Sequence, residues 1–210
     1  MPGLIIFDCD GVLVDSEHIA TRVLQNVLDE AGWALSEAET EQRFMGRSRQ
    51  AAIEIIEAQL GRPVAETFVP DWQARIFAAF RQELRPVPGI EAALARLTAP
   101  VCVASGSDPA RIRLSLELTG LLARFEGRIF SAADVAHGKP APDLFLLAAR
   151  TLGTAPAACV VIEDSLPGVR AAVAAGMPVW GYAAHTPAQV LALAGARVFD
   201  DMAKLPELLG

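Results

Sequence analysis

The sequence predicts an α/β protein: a doubly wound parallel sheet with an all-helical domain inserted after its first strand. Three observations predict this. Leu4–Phe7, Val101–Ala104 and Cys159–Ile162 are short apolar runs bounded by turn residues, as buried strands are. Helical patterns of about ten residues separate the later runs, which is the spacing of βαβ units. From Ser16 to about Leu84 the apolar residues keep a helical period throughout.

The first strand ends at Asp8, and Gly11 then permits a tight turn. Ile19, Val23, Val27 and Ala31 recur every four residues and stop at Gly32. Ser36 with Glu39 has the spacing of a capping box. Ile53, Ile56 and Leu60 continue the period to Gly61, and Pro70 opens a stretch in which Trp72, Ile76, Ala79 and Phe80 share a face. The division expected is a core of residues 1–15 and 85–210 and a helical insert of residues 16–84. In the second core segment Ile90–Leu97 reads as a helix. Asp108-Pro109 reads as an N-cap followed by a first-turn proline. Arg128–Phe130 is a strand candidate and Asp143–Leu152 a helix. Ser165–Ala175 is a further helix, and Pro178–Tyr182 the last strand expected.

Composition narrows the function. Hydrophobic residues make up 52% of the 210, enough for a substantial core. There is no apolar stretch of about 18 residues and no basic segment leading into a long apolar run, so neither a membrane span nor a signal peptide is expected. Cys9, Cys102 and Cys159 each lie in an apolar run and read as small core residues. A cytoplasmic location and a monomer are the default expectations. A net charge of −7 argues against binding nucleic acid through its phosphates. Among the 18 basic residues only Lys139 and Lys204 are lysines, so a lysine at a special place asks for a specific reason.

In a doubly wound sheet the ligand site lies beyond the carboxyl ends of the strands. Those ends carry Asp8-Cys9-Asp10-Gly11, Ser105-Gly106-Ser107, Gly138-Lys139-Pro140 and Glu163-Asp164-Ser165. Singly, each Asp or Ser reads as well as a turn or cap residue. Together the carboxylates repel one another unless a cation joins them, and hard oxygen ligands suit Mg²⁺. A carboxylate attacks phosphorus once the charge of the phosphate is masked, which gives Asp8 the role of nucleophile. Lys139 and Ser105 can hold phosphoryl oxygens. Asp10, two residues further along an extended strand, points to the same side and can act as general acid and base.

These four segments resemble, in order, the four motifs of the haloacid dehalogenase superfamily of hydrolases. The first runs from Phe7 to Glu17, the second from Val103 to Ser107, the third from Gly138 to Asp143 and the fourth from Glu163 to Gly168. The resemblance implies a Rossmann-like core and an aspartyl-phosphate on Asp8. It further implies Mg²⁺ held by Asp8, the backbone carbonyl of Asp10 and Asp164, with Glu163 a ligand or a partner of the ligands. The second aspartate, Asp10, favours phosphoryl transfer over halide removal. The helical insert resembles the cap of the group that holds β-phosphoglucomutase and the small sugar-phosphate phosphatases, where the cap closes over the site. Gly46-Arg47-Ser48-Arg49 resembles the loop with which that group touches substrate, although two solvated arginines at a helix start would read the same. Gly11, Glu17, Arg49, Gly106 and Ser107 are the substrate-binding positions implied.

The function expected is hydrolysis of a small phosphorylated sugar, sugar acid or polyol. A hexose-phosphate mutase is the alternative. His18 lies closer to the first motif than the mutase pattern places its histidine, and Glu17 looks more like the phosphatases. A non-enzymatic receiver-like phosphoprotein is the remote alternative, since such domains are shorter and lack a helical insert.

Overall fold

The computed structural model describes residues 1–44 and 49–210. The chain divides into two compact units, one of Met1–Asp15 with Arg85–Gly210 and one of Ser16–Leu84.

The first unit is built on six parallel strands: β1 (Leu4–Phe7), β2 (Val101–Ser105), β3 (Ile129–Ser131), β4 (Cys159–Glu163), β5 (Val179–Tyr182) and β6 (Arg197–Phe199). Their order across the sheet is β3-β2-β1-β4-β5-β6. The order reverses at β1, so a crevice opens between the ends of β1 and β4, where ligands of such sheets lie. Phe7 pairs with Val103 on one side and Ile162 on the other, and Ser105 pairs with Ser131. This register brings Asp8, Ser105 and Glu163 to one edge.

β1 and β2 are buried throughout, as strands covered on both faces must be. Leu4 and Ile6 face one layer with Cys102, Ala104 and Val161. The helices α8 (Asp143–Thr151), α9 (Leu166–Ala174) and α10 (Ala188–Leu193) cover that layer through Leu144, Phe145, Val169 and Leu191. On the opposite face the ring of Phe7 meets Phe125 of α7 (Leu122–Phe125) edge-on, with centroids 6.2 Å apart. The remaining helices of this unit are α5 (Ile90–Arg96), α6 (Pro109–Leu118) and α11 (Leu205–Leu209).

The second unit holds α1 (Glu17–Glu30), α2 (Glu37–Phe44), α3 (Arg49–Leu60) and α4 (Phe68–Glu83). Its core is Leu24, Leu28, Phe44, Ala52 and Ile56. Ser36 and Glu39 make the reciprocal bonds of a capping box. α1 and α4 are joined at the surface by Arg22–Glu83 and Arg75–Glu30. None of the described helices is long and apolar enough to cross a membrane.

Four local readings shift. β6 was not expected: it is a three-residue edge strand with Arg197 exposed, too short to show a period. β3 lies one residue further along than Arg128–Phe130, because Ser131 is drawn into the ladder opposite Ser105. α4 begins at Phe68, so Pro70 sits in its first turn, where a missing N–H costs nothing. Asp108 stands at the N-cap of α6 but makes no side-chain cap bond; its carbonyl accepts from Ile112 N–H at 3.1 Å.

Candidate active site

The backbone N–H of Asp8 donates to the carbonyl of Ile162 at 2.9 Å, which ties the residue to the β1–β4 ladder. Its buried carboxylate accepts from Lys139 Nζ at 2.7 Å, and the same ammonium donates to Glu163 Oε1 at 2.6 Å. Glu163 is fully buried at the end of β4. Its Oε2 accepts from the N–H groups of Asp164 and Ser165, both at 2.9 Å, and from the Ser165 hydroxyl at 2.8 Å. Ser165 Oγ in turn accepts from Gly168 N–H as the N-cap of α9. The start of α9 thus holds Glu163, Glu163 holds Lys139, and Lys139 holds Asp8.

Lys139 comes from the segment between β3 and α8, and its Nζ lies 4.9 Å from the ring centroid of the buried Phe145. The ring face compensates an ammonium taken out of water without competing for its hydrogen bonds. Burial works to lower the Lys139 pKa, and the carboxylates of Asp8 and Glu163 overcome it, so the ammonium stays charged well above the lysine range. Burial, helped by Glu163 and Asp10, pushes Asp8 up to about 7 against the pull of Lys139.

Two glycines make room for these carboxylates. Gly11 has φ +75°, and a Cβ there would fall on the Asp164 carboxylate. A Cβ at Gly168 would fall inside the Glu163 carboxylate.

Asp10 faces the second strand end. Its Oδ2 accepts from Ser107 Oγ at 2.6 Å and its Oδ1 from Arg111 Nη2 at 2.7 Å. Ser105, buried at the end of β2, accepts from Ser107 N–H at 3.1 Å through its hydroxyl oxygen. Ser131 Oγ donates to the Ser107 carbonyl at 2.7 Å. Gly106 stands between the two serines with open space where a Cβ would be.

The structure therefore brings Asp8, Asp10, Gly11, Ser105, Gly106, Ser107, Lys139, Glu163 and Asp164 to one edge of the first unit. Glu17 and His18 open α1 of the second unit, with His18 exposed, and Arg49 opens α3, also exposed. Arg47 and most of its loop lie outside the described residues. Arg111, Ser131 and Phe145 are the residues the sequence reading missed. Arg111 carried a signal: a cation in the first turn of a helix opposes the dipole and asks for an anion nearby.

Asp8, Glu163 and Asp164 offer carboxylate oxygens that all lie within 4.8 Å of one another. This buried, all-oxygen donor set fits a hard divalent cation, and Lys139 alone does not balance it. Both oxygens of Glu163 and both of the Asp10 side chain already accept hydrogen bonds. Asp8 and Asp164 complete the set of side chains that could serve as ligands.

Comparison with known proteins identifies the family. A family model described as haloacid dehalogenase-like hydrolase matches residues 2–176. The chain is 31% identical over 205 residues to a 6-phosphogluconate phosphatase of Escherichia coli, covering 97% of this chain and 93% of that one. It is 31% identical to a fructose-1-phosphate phosphatase of the same organism, covering 82% of this chain and 92% of the other. A crystal structure of a haloacid dehalogenase-like protein of unknown function from Agrobacterium tumefaciens superposes with a TM-score of 0.86. That protein is 37% identical, and the match covers 100% of this chain and 98% of the other.

Proposed function

The chain belongs to the haloacid dehalogenase-like hydrolases and is a phosphoric monoester hydrolase, and from that premise we propose that it uses Mg²⁺ and an aspartyl-phosphate on Asp8 to dephosphorylate a small sugar, sugar acid or polyol phosphate. The observation that carries this reading is the hydrogen-bonded chain Asp8–Lys139–Glu163, with Asp164 beside it.

In this reading Asp8 Oδ attacks phosphorus and the bond to the leaving oxygen breaks. Asp10 gives that oxygen a proton, then takes one from the water that cleaves the acyl phosphate and frees Asp8. The ammonium of Lys139 has three donors, two of which go to Asp8 and Glu163, and the third serves a phosphoryl oxygen. Ser105 receives a hydrogen bond from Ser107 N–H and directs its own hydroxyl hydrogen to the same group. Asp8, Asp164 and the carbonyl of Asp10 would hold the Mg²⁺, which when bound would supply positive charge to offset that of the phosphoryl group. Glu163 acts by fixing Lys139 rather than as a ligand. Glu17 and Arg49 of the helical unit are assigned to substrate selection, and the enzyme is read as a cytoplasmic monomer.

The test is phosphate release in Mg²⁺ from a panel of sugar, sugar-acid and polyol phosphates that includes 6-phosphogluconate and fructose 1-phosphate. Steady multiple turnover on one class supports the reading. Conversion of a sugar 1-phosphate to its isomer without net phosphate release would replace it with a mutase, and a stable phosphoprotein without turnover would replace it with a receiver-like role.

A further inference from the structure

We infer that Arg111 is a positioning residue that fixes the Asp10 carboxylate for both proton transfers; the inference rests on the role given to Asp10 above.

Asp8, Asp10, Glu163 and Asp164 bring four carboxylates to one sheet edge. Lys139 answers Asp8 and Glu163, and Arg111 answers Asp10 with Nη2 2.7 Å from Oδ1. The pair is largely withdrawn from water, the Arg111 side chain being 20% exposed and that of Asp10 13%. A pair so placed is held more tightly than a surface ion pair. Arg111 is the third residue of α6, at the positive end of that helix. A cation there is disfavoured by the helix dipole, so its position is explained by the carboxylate it meets rather than by helix stability.

The clamp stands on a fixed base. Ser107 N–H donates to Ser105 Oγ, and the Ser107 carbonyl accepts from Ser131 Oγ. The start of α6 is therefore tied to the ends of β2 and β3. On the other side, the Asp10 backbone lies in a turn closed by Leu13 N–H and Val14 N–H on the Cys9 carbonyl. Ser107 takes one carboxylate oxygen and Arg111 the other, which sets both side-chain torsions of Asp10. A group that donates a proton in one step and accepts one in the next must present the same geometry twice, and small misplacements cost large factors in rate.

The experiment is a double-mutant cycle between Asp10→Asn and Arg111→Gln, read as steady-state turnover of p-nitrophenyl phosphate and β-glycerol phosphate in Mg²⁺. Arg111→Gln alone is expected to lower kcat for β-glycerol phosphate by about 10- to 100-fold with little change in KM. Arg111→Lys should recover part of that loss. In the Asp10→Asn background, Arg111→Gln should cost nothing further on p-nitrophenyl phosphate, because its effect passes through Asp10. Thermal melts of all variants separate folding from turnover, and Arg111→Lys keeps the test open if Arg111→Gln does not fold. An equal loss in both backgrounds, a rise in KM at unchanged kcat, or no loss from Arg111→Gln would overturn the inference. Full activity of Asp10→Asn would instead sink the parent reading.

Discussion

Gly168 and Glu163 are sterically coupled: the space a Cβ would take at Gly168 is filled by the Glu163 carboxylate. Glu163 lies at the end of β4 and Gly168 in the first turn of α9, so the strand–helix junction closes around the anchor of Lys139. Gly168→Ala is expected to push that carboxylate off its bonds to Lys139, Asp164 N–H and Ser165 N–H. Overpacking of this kind costs about 1–3 kcal/mol, or roughly 3–10 °C in Tm for a chain of this size. Thermal melts and phosphate release should both fall together; a variant that melts and turns over like the parent would show that the junction is not tight.

Lys139 donates to the buried carboxylates of both Asp8 and Glu163, and its removal strands the two of them. Lys139→Met should abolish turnover and destabilise the metal-free protein by about 3–5 kcal/mol. Added Mg²⁺ should restore part of the lost stability, which differential scanning calorimetry with and without the ion would reveal. Lys139→Arg should not restore activity, since a planar fork replaces a compact point charge among groups spaced for an ammonium.

Gly11 serves both a left-handed turn and the Asp164 carboxylate. Gly11→Ala therefore strains the backbone and displaces an assigned Mg²⁺ ligand. The Mg²⁺ concentration for half-maximal activity should rise by about tenfold or more. An unchanged Mg²⁺ titration would argue that Asp164 does not hold the ion.

Cys9, Cys102 and Cys159 are buried, and burial pushes the Cys102 thiol up to about 12. Thiolate is the reactive form, so the native protein should resist alkylation by iodoacetamide at pH 8. All three thiols should react once the chain is unfolded in guanidinium. Fast labelling of Cys102 in the native state would contradict its burial in β2 beneath α8.

The strands that position the site were legible because buried parallel strands are continuous apolar runs, as in Leu4–Phe7 and Cys159–Glu163. β6 was not legible, since three residues with one exposed carry no pattern. The strand-end residues Asp8, Ser105 and Glu163 could be found by position alone, because in a parallel sheet the chain delivers them to one edge. The direction of their hydrogen bonds could not. Ser107 is a substrate-binding position by resemblance, and that its hydroxyl also donates to Asp10 is visible only in the fold. Arg111 was one arginine among many in an Arg-rich chain, and only the fold reveals that its helix brings it against a turn about one hundred positions earlier. Phe145 read as core, which it is, but the ammonium above its ring depends on the path of the segment from Lys139 to α8.

Asp8 is the centre of the proposed chemistry. Rapid acid quench during turnover of a radiolabelled aryl phosphate in Mg²⁺ should trap label on the chain, and peptide mapping should place it on Asp8. The label should vanish in Asp8→Asn and in the presence of excess chelator. Turnover with no phosphorylated intermediate, or with the label on another residue such as Ser105, would contradict the account.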